Sequence, residues 1–172
     1  MKRRPVFLGL ALVAGCGAGP VAVRQPPADA LRAAEARLVE RGIVLDSAGR
    51  RADALRTERY CYVPPDAQGN DWGRSLIAPY RGPLAVTVEG DAAEQAAARG
   101  RCTWLFRVEV AARGVPGAAT LTATGEWWRL AQRRCEPVGN PLVGRVRCEY
   151  GYDGAVAPQA IEPHFHAMFS GL

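Results

Sequence analysis

From Ala28 to Gly42 the chain reads ADALRAAEARLVERG, and this stretch decides what kind of fold the rest must build. Leu31, Ala34, Leu38 and Arg41 recur at i, i+3, i+7 and i+10, on one stripe of a helix, while Glu35, Arg37 and Glu40 fall off it. The spacing predicts an amphipathic helix over 28–41, with Gly42 as the C′ residue that takes the left-handed turn. Beyond it the period changes to two. Ile43–Leu45 leaves as a short strand and Ser47-Ala48-Gly49 turns it back. Further strands are expected at 55–63, 84–89, 102–112 and 120–130, with a sixth around 143–150 in a hairpin with the last of these. Alternation groups Leu84, Val86 and Val88; Trp104, Phe106, Val108 and Val110; and Leu121, Ala123 and Trp127, each set on one face. Thr57 and Arg59, on the apolar face of strand 55–63, fit that strand poorly. Segment 64–83, which holds Trp72, reads as a long loop, 91–99 as one or two helical turns, and the end of the chain as a short helix. The expected class is α+β: one amphipathic helix packed on a mostly antiparallel five- to six-stranded sheet.

Upstream of this domain the sequence changes character. Lys2, Arg3 and Arg4 precede an apolar run, Val6 to Ala14, which is the layout of an export signal. Nine residues at 1.5 Å rise span only about half of a ~30 Å hydrocarbon core, so the run is too short for a membrane helix. Its ending, Val13-Ala14-Gly15-Cys16, resembles the lipobox of bacterial lipoproteins. The resemblance implies cleavage before Cys16 and fatty acylation, palmitate included, of the new terminus. Gly17, where an Asp would favour the inner membrane, implies an outer-membrane anchor facing the periplasm. Two or more acyl chains hold a protein stably where one does so only marginally. The expected organisation is a signal peptide over 1–15, an acylated tether over 16–27 with room for a small strand at Val21–Val23, and a single periplasmic domain over 28–172.

The opening LRAAEARLVERGIVLDSAGRRADALRTERY, residues 31–60, also resembles the helix-grip modules of envelope lipoproteins such as the BamC component of the outer-membrane β-barrel assembly machine. The tryptophan-bearing loop and the cysteines depart from that family. The resemblance implies a helix laid across an antiparallel sheet and a role in the envelope.

Losing the signal takes three cations and no anion, so 22 Lys+Arg fall to 19 against an unchanged 17 Asp+Glu. No basic block remains, which removes the electrostatic footprint of a nucleic-acid binder. Four cysteines stay with the domain: Cys61, Cys102, Cys135 and Cys148. An even number in an exported domain implies disulfides, with three possible pairings. Cys135 and Cys148 flank a hairpin-like excursion centred on Asn140-Pro141, which leaves Cys61 for Cys102. Alternation puts Cys61 with Leu55 and Val63, and Cys102 with Trp104 and Phe106, so both are expected to point into one core. No two cysteines have the CxxC spacing of a zinc or thiol-redox site.

Catalytic constellations are sparse. Ser47 belongs to a turn, Ser170 lies two residues from the end, and Ser75 lacks a Gly-x-Ser-x-Gly elbow. His164 and His166 with Glu162 form the one metal-like cluster, but i and i+2 diverge on a helix. Glu58, Glu109 and Glu126 alternate along strands as a solvated face does. The expectation is no catalysis, no metal and no cofactor. In Trp127-Trp128 the two rings must face opposite ways on a strand. If Trp127 joins the core, Trp128 and Leu130, with Leu105 from the neighbouring strand, form an apolar patch on the other face. The terminal segment Phe165–Phe169 is a candidate cover for it. The leading expectation is therefore an interaction or assembly module that contacts another envelope protein through Leu105, Trp128 and Leu130. The alternative is a periplasmic binding module for a lipid or other apolar ligand, in a cavity lined by Trp104, Phe106 and Trp127.

Overall fold

The computed structural model describes residues 19–64, 72–100, 102–140 and 144–172; the lipobox and Cys16 lie outside them. The described strands are β1 (Val21–Val23), β2 (Ala54–Arg56), β3 (Tyr60–Cys61), β4 (Ala85–Gly90), β5 (Trp104–Val115), β6 (Ala118–Pro137) and β7 (Val146–Gly154). The helices are α1 (Pro27–Glu40), α2 (Trp72–Ser75), α3 (Ala92–Gly100) and α4 (Glu162–Phe169). The strands form one antiparallel sheet in the order β2-β5-β6-β7-β4, with β1 beside β6 and β3 beside β5. The α+β class stands, with four described helices in place of one amphipathic helix: α3 and α4 fall where helical turns at 91–99 and a short terminal helix were expected, and α2 lies inside the segment 64–83 expected as a loop.

Helix α1 ends as its sequence dictates. Gly42 adopts φ 74°. Its N–H donates to the Val39 carbonyl, and the Ile43 N–H reaches back to the Leu38 carbonyl at 2.9 Å. This is a Schellman cap, closed by contact between the buried Leu38 and Ile43. The stripe of Ala30, Leu31, Ala34 and Leu38 is buried against β5 and β6. There it meets Phe106, Val108, Val110, Leu121 and Trp127, and the Phe165 and Phe169 rings of α4 fill the remaining side. Each of the leucine, valine and phenylalanine side chains among these contributes about 1.5–3 kcal/mol by leaving water.

Strand 55–63 does not run unbroken. Arg56 pairs with Glu109 and Tyr60 with Phe106, so three residues (57–59) oppose two on β5. The extra residue is a bulge centred on Thr57. Thr57 is fully buried because its Oγ1 accepts the Val108 N–H at 3.0 Å while its own N–H donates to the Val108 carbonyl. A one-residue insertion flips the faces of everything after it. Leu55 and Tyr60 therefore both point to the α1 side, and Cys61, opposite Leu105, points to the other. The misfit of Thr57 was the visible sign of this bulge. Ile43–Leu45, expected as a strand, contributes only a single bridge from Leu45 to Thr57.

The 20-residue β6 has different neighbours along its length. β1 covers residues 119–121 and β7 begins at Trp128. In the gap α4 supplies the partners: His166 Nε2 accepts the Ala123 N–H at 2.9 Å, and Glu162 Oε1 accepts the Gly125 N–H at 3.0 Å. Residues 162 and 166 stand one helical turn apart, matching the two-residue repeat of outward N–H groups on the strand. Gly125 permits the approach, since a Cβ there would come within 2.9 Å of Ile161 Cγ2 and of Trp127 Nε1.

Candidate functional site: an apolar cleft on the second sheet face

The α1–α4 face is filled. Phe106 packs on Trp127 with centroids 5.2 Å apart, and Trp72 meets both at 5.7 and 6.1 Å. Phe106 and Trp127, expected to line a cavity, are instead buried in ring-on-ring contact, with Trp104 partly buried at the margin. The hollow lies on the opposite face.

That face carries the Cys61–Cys102 disulfide, with Cα atoms 5.6 Å apart. The pairing matches the sequence expectation, but its reason does not. The bulge at Thr57 turns Cys61 away from Phe106, so the bridge sits outside the main core. The second disulfide, Cys135–Cys148, joins directly opposed residues of β6 and β7.

Helix α3 lies over the β4–β7 end of this face and is fixed there by its sequence. Asp91 Oδ1 accepts the N–H groups of Ala93 and Glu94, and Glu94 Oε2 accepts the Asp91 N–H. The stretch DAAE is thus a capping box, a signal present in the sequence but not used to place the helix. Gln95 points down, buried. Its Nε2 donates to the carbonyls of Val88 and Val146, and its Oε1 accepts from the Tyr150 hydroxyl at 2.8 Å. One amide side chain so ties the helix to two strands.

Between α3, the sheet and loop 80–83 lies a cleft of about 660 Å³. Val86 and Val88 form its floor on β4, Leu130 and Tyr152 on β6 and β7; Ala97 and Ala98 form the helix wall, and the Cys61–Cys102 bridge closes one side. Tyr152 donates to the Cys102 carbonyl at 2.6 Å, and burial, with Tyr80 close by, raises its phenol far above the usual tyrosine range. It therefore presents a neutral ring to the cleft. Tyr80 folds back over Gly82, where a Cβ would strike its ring, and donates to the Pro83 carbonyl at 3.0 Å. Its ring meets Tyr152 edge-on at 5.9 Å.

A second hollow, of about 430 Å³, lies along the other flank of α3 and shares Leu130 with the first. Arg99 from the helix and Arg129 from β6 edge it, with Thr103 and Gln132. The Arg129 guanidinium stacks on Trp104 at 5.5 Å.

Of the three residues expected to form a contact patch, Leu105 is fully buried and offers no surface. Trp128 is half-buried between the guanidiniums of Arg59 and Arg107, each 5.3 Å from the ring. Leu130 lines both hollows. Phe165 and Phe169 belong to the opposite face, with Trp127, and do not cover Trp128. Further along this face, Arg56 and Arg51 converge on Glu109 at 2.7 Å, and Arg107 pairs with Glu126 at 2.5 Å. Burial pushes the Glu109 carboxyl up, but the two guanidiniums outweigh it and hold it below the usual range.

The sparse catalytic candidates have structural partners. Ser75 Oγ accepts the Val63 N–H and donates to the Val63 carbonyl, while Ser170 donates to the Ala167 carbonyl. His164 lies against Trp72, and His166 is spent on Ala123. Glu58 pairs with Arg81. Among the described residues no group of three His, Cys, Asp or Glu side chains is placed to hold a metal ion, and no helix is long and apolar enough to cross a membrane. Comparison of this chain with protein-family models, with curated proteins and with solved structures finds no match.

Proposed function

We propose that this chain is a lipid-anchored lipoprotein of the bacterial cell envelope, without catalysis of its own, whose cleft binds a lipid or other apolar ligand. The single observation that carries the reading is the cleft. Its volume falls within the ~300–1,000 Å³ typical of small-molecule sites, and its walls are apolar, with two tyrosines and one carboxylate, Glu94, among the lining residues. Two disulfides suit a chain exported to an oxidising compartment, and the lipobox supplies the anchor at Cys16 on the periplasmic side of the outer membrane. The chain enters the sheet at Val21, opposite Leu121, whereas the cleft begins at Leu130. Nine strand residues separate the two by about 30 Å, so the ligand site stands at the far end of the sheet from the tether.

The test uses the full chain carrying Cys16→Ser, oxidised, with a naphthalene-based fluorescent probe. Probe emission should rise on binding, and Ala98→Trp, which fills the cleft from the helix side, should abolish the rise at unchanged thermal stability. Equal binding by the filled variant would remove the cleft from the reading. The anchor is tested separately: Cys16→Ser should release the protein from membranes, and continued membrane association would overturn it.

A second reading, an assembly module contacting another envelope protein, is favoured by Trp128, a large ring held half-open between two guanidiniums. A photo-crosslinking residue at position 128 should then capture a discrete protein in intact cells, and its failure to do so would leave the ligand-binding reading alone.

A further inference from the structure

We infer that the free edge of β4 is where a second copy of this chain joins the sheet, antiparallel and strand beside strand, about a two-fold axis at Thr87. The inference goes beyond the ligand-binding reading and does not depend on it. β4 ends the strand order, with β7 on one side and no strand on the other among the described residues. The Tyr152 N–H donates to the Leu84 carbonyl, so Leu84, Val86, Val88 and Gly90 turn their backbone groups to β7. Alternation then turns the N–H and C=O groups of Ala85, Thr87 and Glu89 outward. The opposite edge of the sheet is closed, since the Ala54 and Arg56 carbonyls of β2 accept the N–H groups of Arg51 and Asp46. β4 has no such cover among the described residues, and no proline, lysine or bulge interrupts its six residues. An edge without those devices is a template for another strand.

The strand AVTVEG fits itself. With Thr87 on the axis, Ala85 opposes Glu89 of the second copy, Val86 opposes Val88, and Thr87 opposes its own counterpart. Alone among antiparallel registers, this one pairs all the outward residues with one another, for about six N–H···O bonds. On the α3 face Val86, 37% exposed in the single chain, gains a valine neighbour; valine on valine and threonine on threonine are favoured cross-strand pairs. On the α1 face the charges match. Glu89 of one copy meets Ala85 of the other, and behind that Ala85 stands Gly151 with the Arg133 side chain laid over it: a Cβ on Gly151 would come within 2.6 Å of Arg133 Nε. An anion therefore faces a cation at both ends of the contact. The two Glu89 residues stand four positions apart along the paired strands, about 13 Å, and do not oppose each other. A strand from another protein would have to bring this complement; the second copy already carries it. The contact is small, so the dimer is a weak one.

Sedimentation equilibrium of the oxidised Cys16→Ser full chain, from ~5 µM to ~500 µM, tests this and should show a monomer–dimer equilibrium. Thr87→Lys sets like charges opposite each other at the axis and should weaken the dimer about fivefold. Ala85→Lys faces Glu89 of the second copy and should tighten it about fivefold, while Ala85→Glu should weaken it by a similar factor. Ala85 and Thr87 are exposed in the single chain, so melting at the lowest concentration should match the parent. If Thr87→Lys fails to fold, the opposite signs of the two changes at position 85 still decide. A monomer at every concentration would overturn the inference and leave the edge to a strand of another protein. A dimer indifferent to all three variants would place the contact elsewhere and overturn it equally. So would a dimer tightened by Ala85→Glu and weakened by Ala85→Lys, because Glu89 would then not stand opposite.

Discussion

Replacing Cys61 and Cys102 together by alanine removes a bridge between residues 41 apart in sequence; replacing Cys135 and Cys148 removes one between residues 13 apart. Both bridges stabilise chiefly by restricting the unfolded chain, and the loop-closure entropy grows with the logarithm of loop length. At 25 °C that gives about 4 kcal/mol for the first and about 3 kcal/mol for the second. Each bridge has one well-buried cysteine, Cys102 at 6% and Cys148 at 2% exposure, while Cys61 is partly buried and Cys135 exposed, so packing does not favour the hairpin bridge. The loop term alone sets a difference of about 1 kcal/mol in favour of the Cys61–Cys102 bridge. The assay is urea unfolding of the oxidised Cys16→Ser chain and of the two double-alanine variants, followed by tryptophan fluorescence. With a slope near ~2 kcal/mol/M, the Cys61/Cys102 variant should unfold about 0.5 M earlier than the Cys135/Cys148 variant. The reverse order, or equal midpoints at equal slopes, would refute the entropic account and would mean that the hairpin bridge acts by holding native strands together.

Three further outcomes follow from the contacts. His166→Leu keeps much of the volume but strips the acceptor from the buried Ala123 N–H, and should cost about 1–3 kcal/mol; the Ala123 amide should exchange faster by NMR, with His166→Gln recovering part of the protection. Gly125→Ala forces a Cβ to within 2.9 Å of Ile161 Cγ2 and should cost about 1–3 kcal/mol by thermal unfolding, unless α4 can move away freely. Glu109→Gln should cost on the order of 1 kcal/mol at neutral pH. Because Arg56 and Arg51 hold the folded Glu109 carboxyl below the ordinary glutamate range, its stabilisation is present above the unfolded pKa and lost as pH falls through the folded one. Wild type and variant should therefore converge in acid, and a gap that persists at low pH would count against the ion-pair network.

Much of the architecture was legible in local pattern. The 28–41 stripe, the Gly42 cap and the alternation of Phe106, Val108 and Val110 each depend on neighbours a few residues away. The hairpin bridge was legible too, because Cys135 and Cys148 flank a turn. The faces on the second side of the sheet were not. Whether Cys61 shares a side with Phe106 depends on one inserted residue at Thr57, and a bulge forms only once β5 lies alongside to define the register. The same displaced alternation hid the partners of Leu105, which is buried although it was expected at a surface. The cleft was out of reach for a related reason. Its walls come from α3, β4, β6, β7 and loop 80–83, segments whose meeting is fixed by long-range contacts such as Gln95 to Val146.

The sequence alone therefore determined the helix, most of the strands, the α+β class and a lipobox-like terminus, since each is written in short-range periodicity or in adjacent residues. Tertiary structure decided the sides: which face holds the Cys61–Cys102 bridge, that α4 completes the β6 edge through Glu162 and His166, and that the hollow opens opposite α1. The physical reason is that a strand carries two faces of equal local standing, and only its registered neighbours distinguish inside from outside.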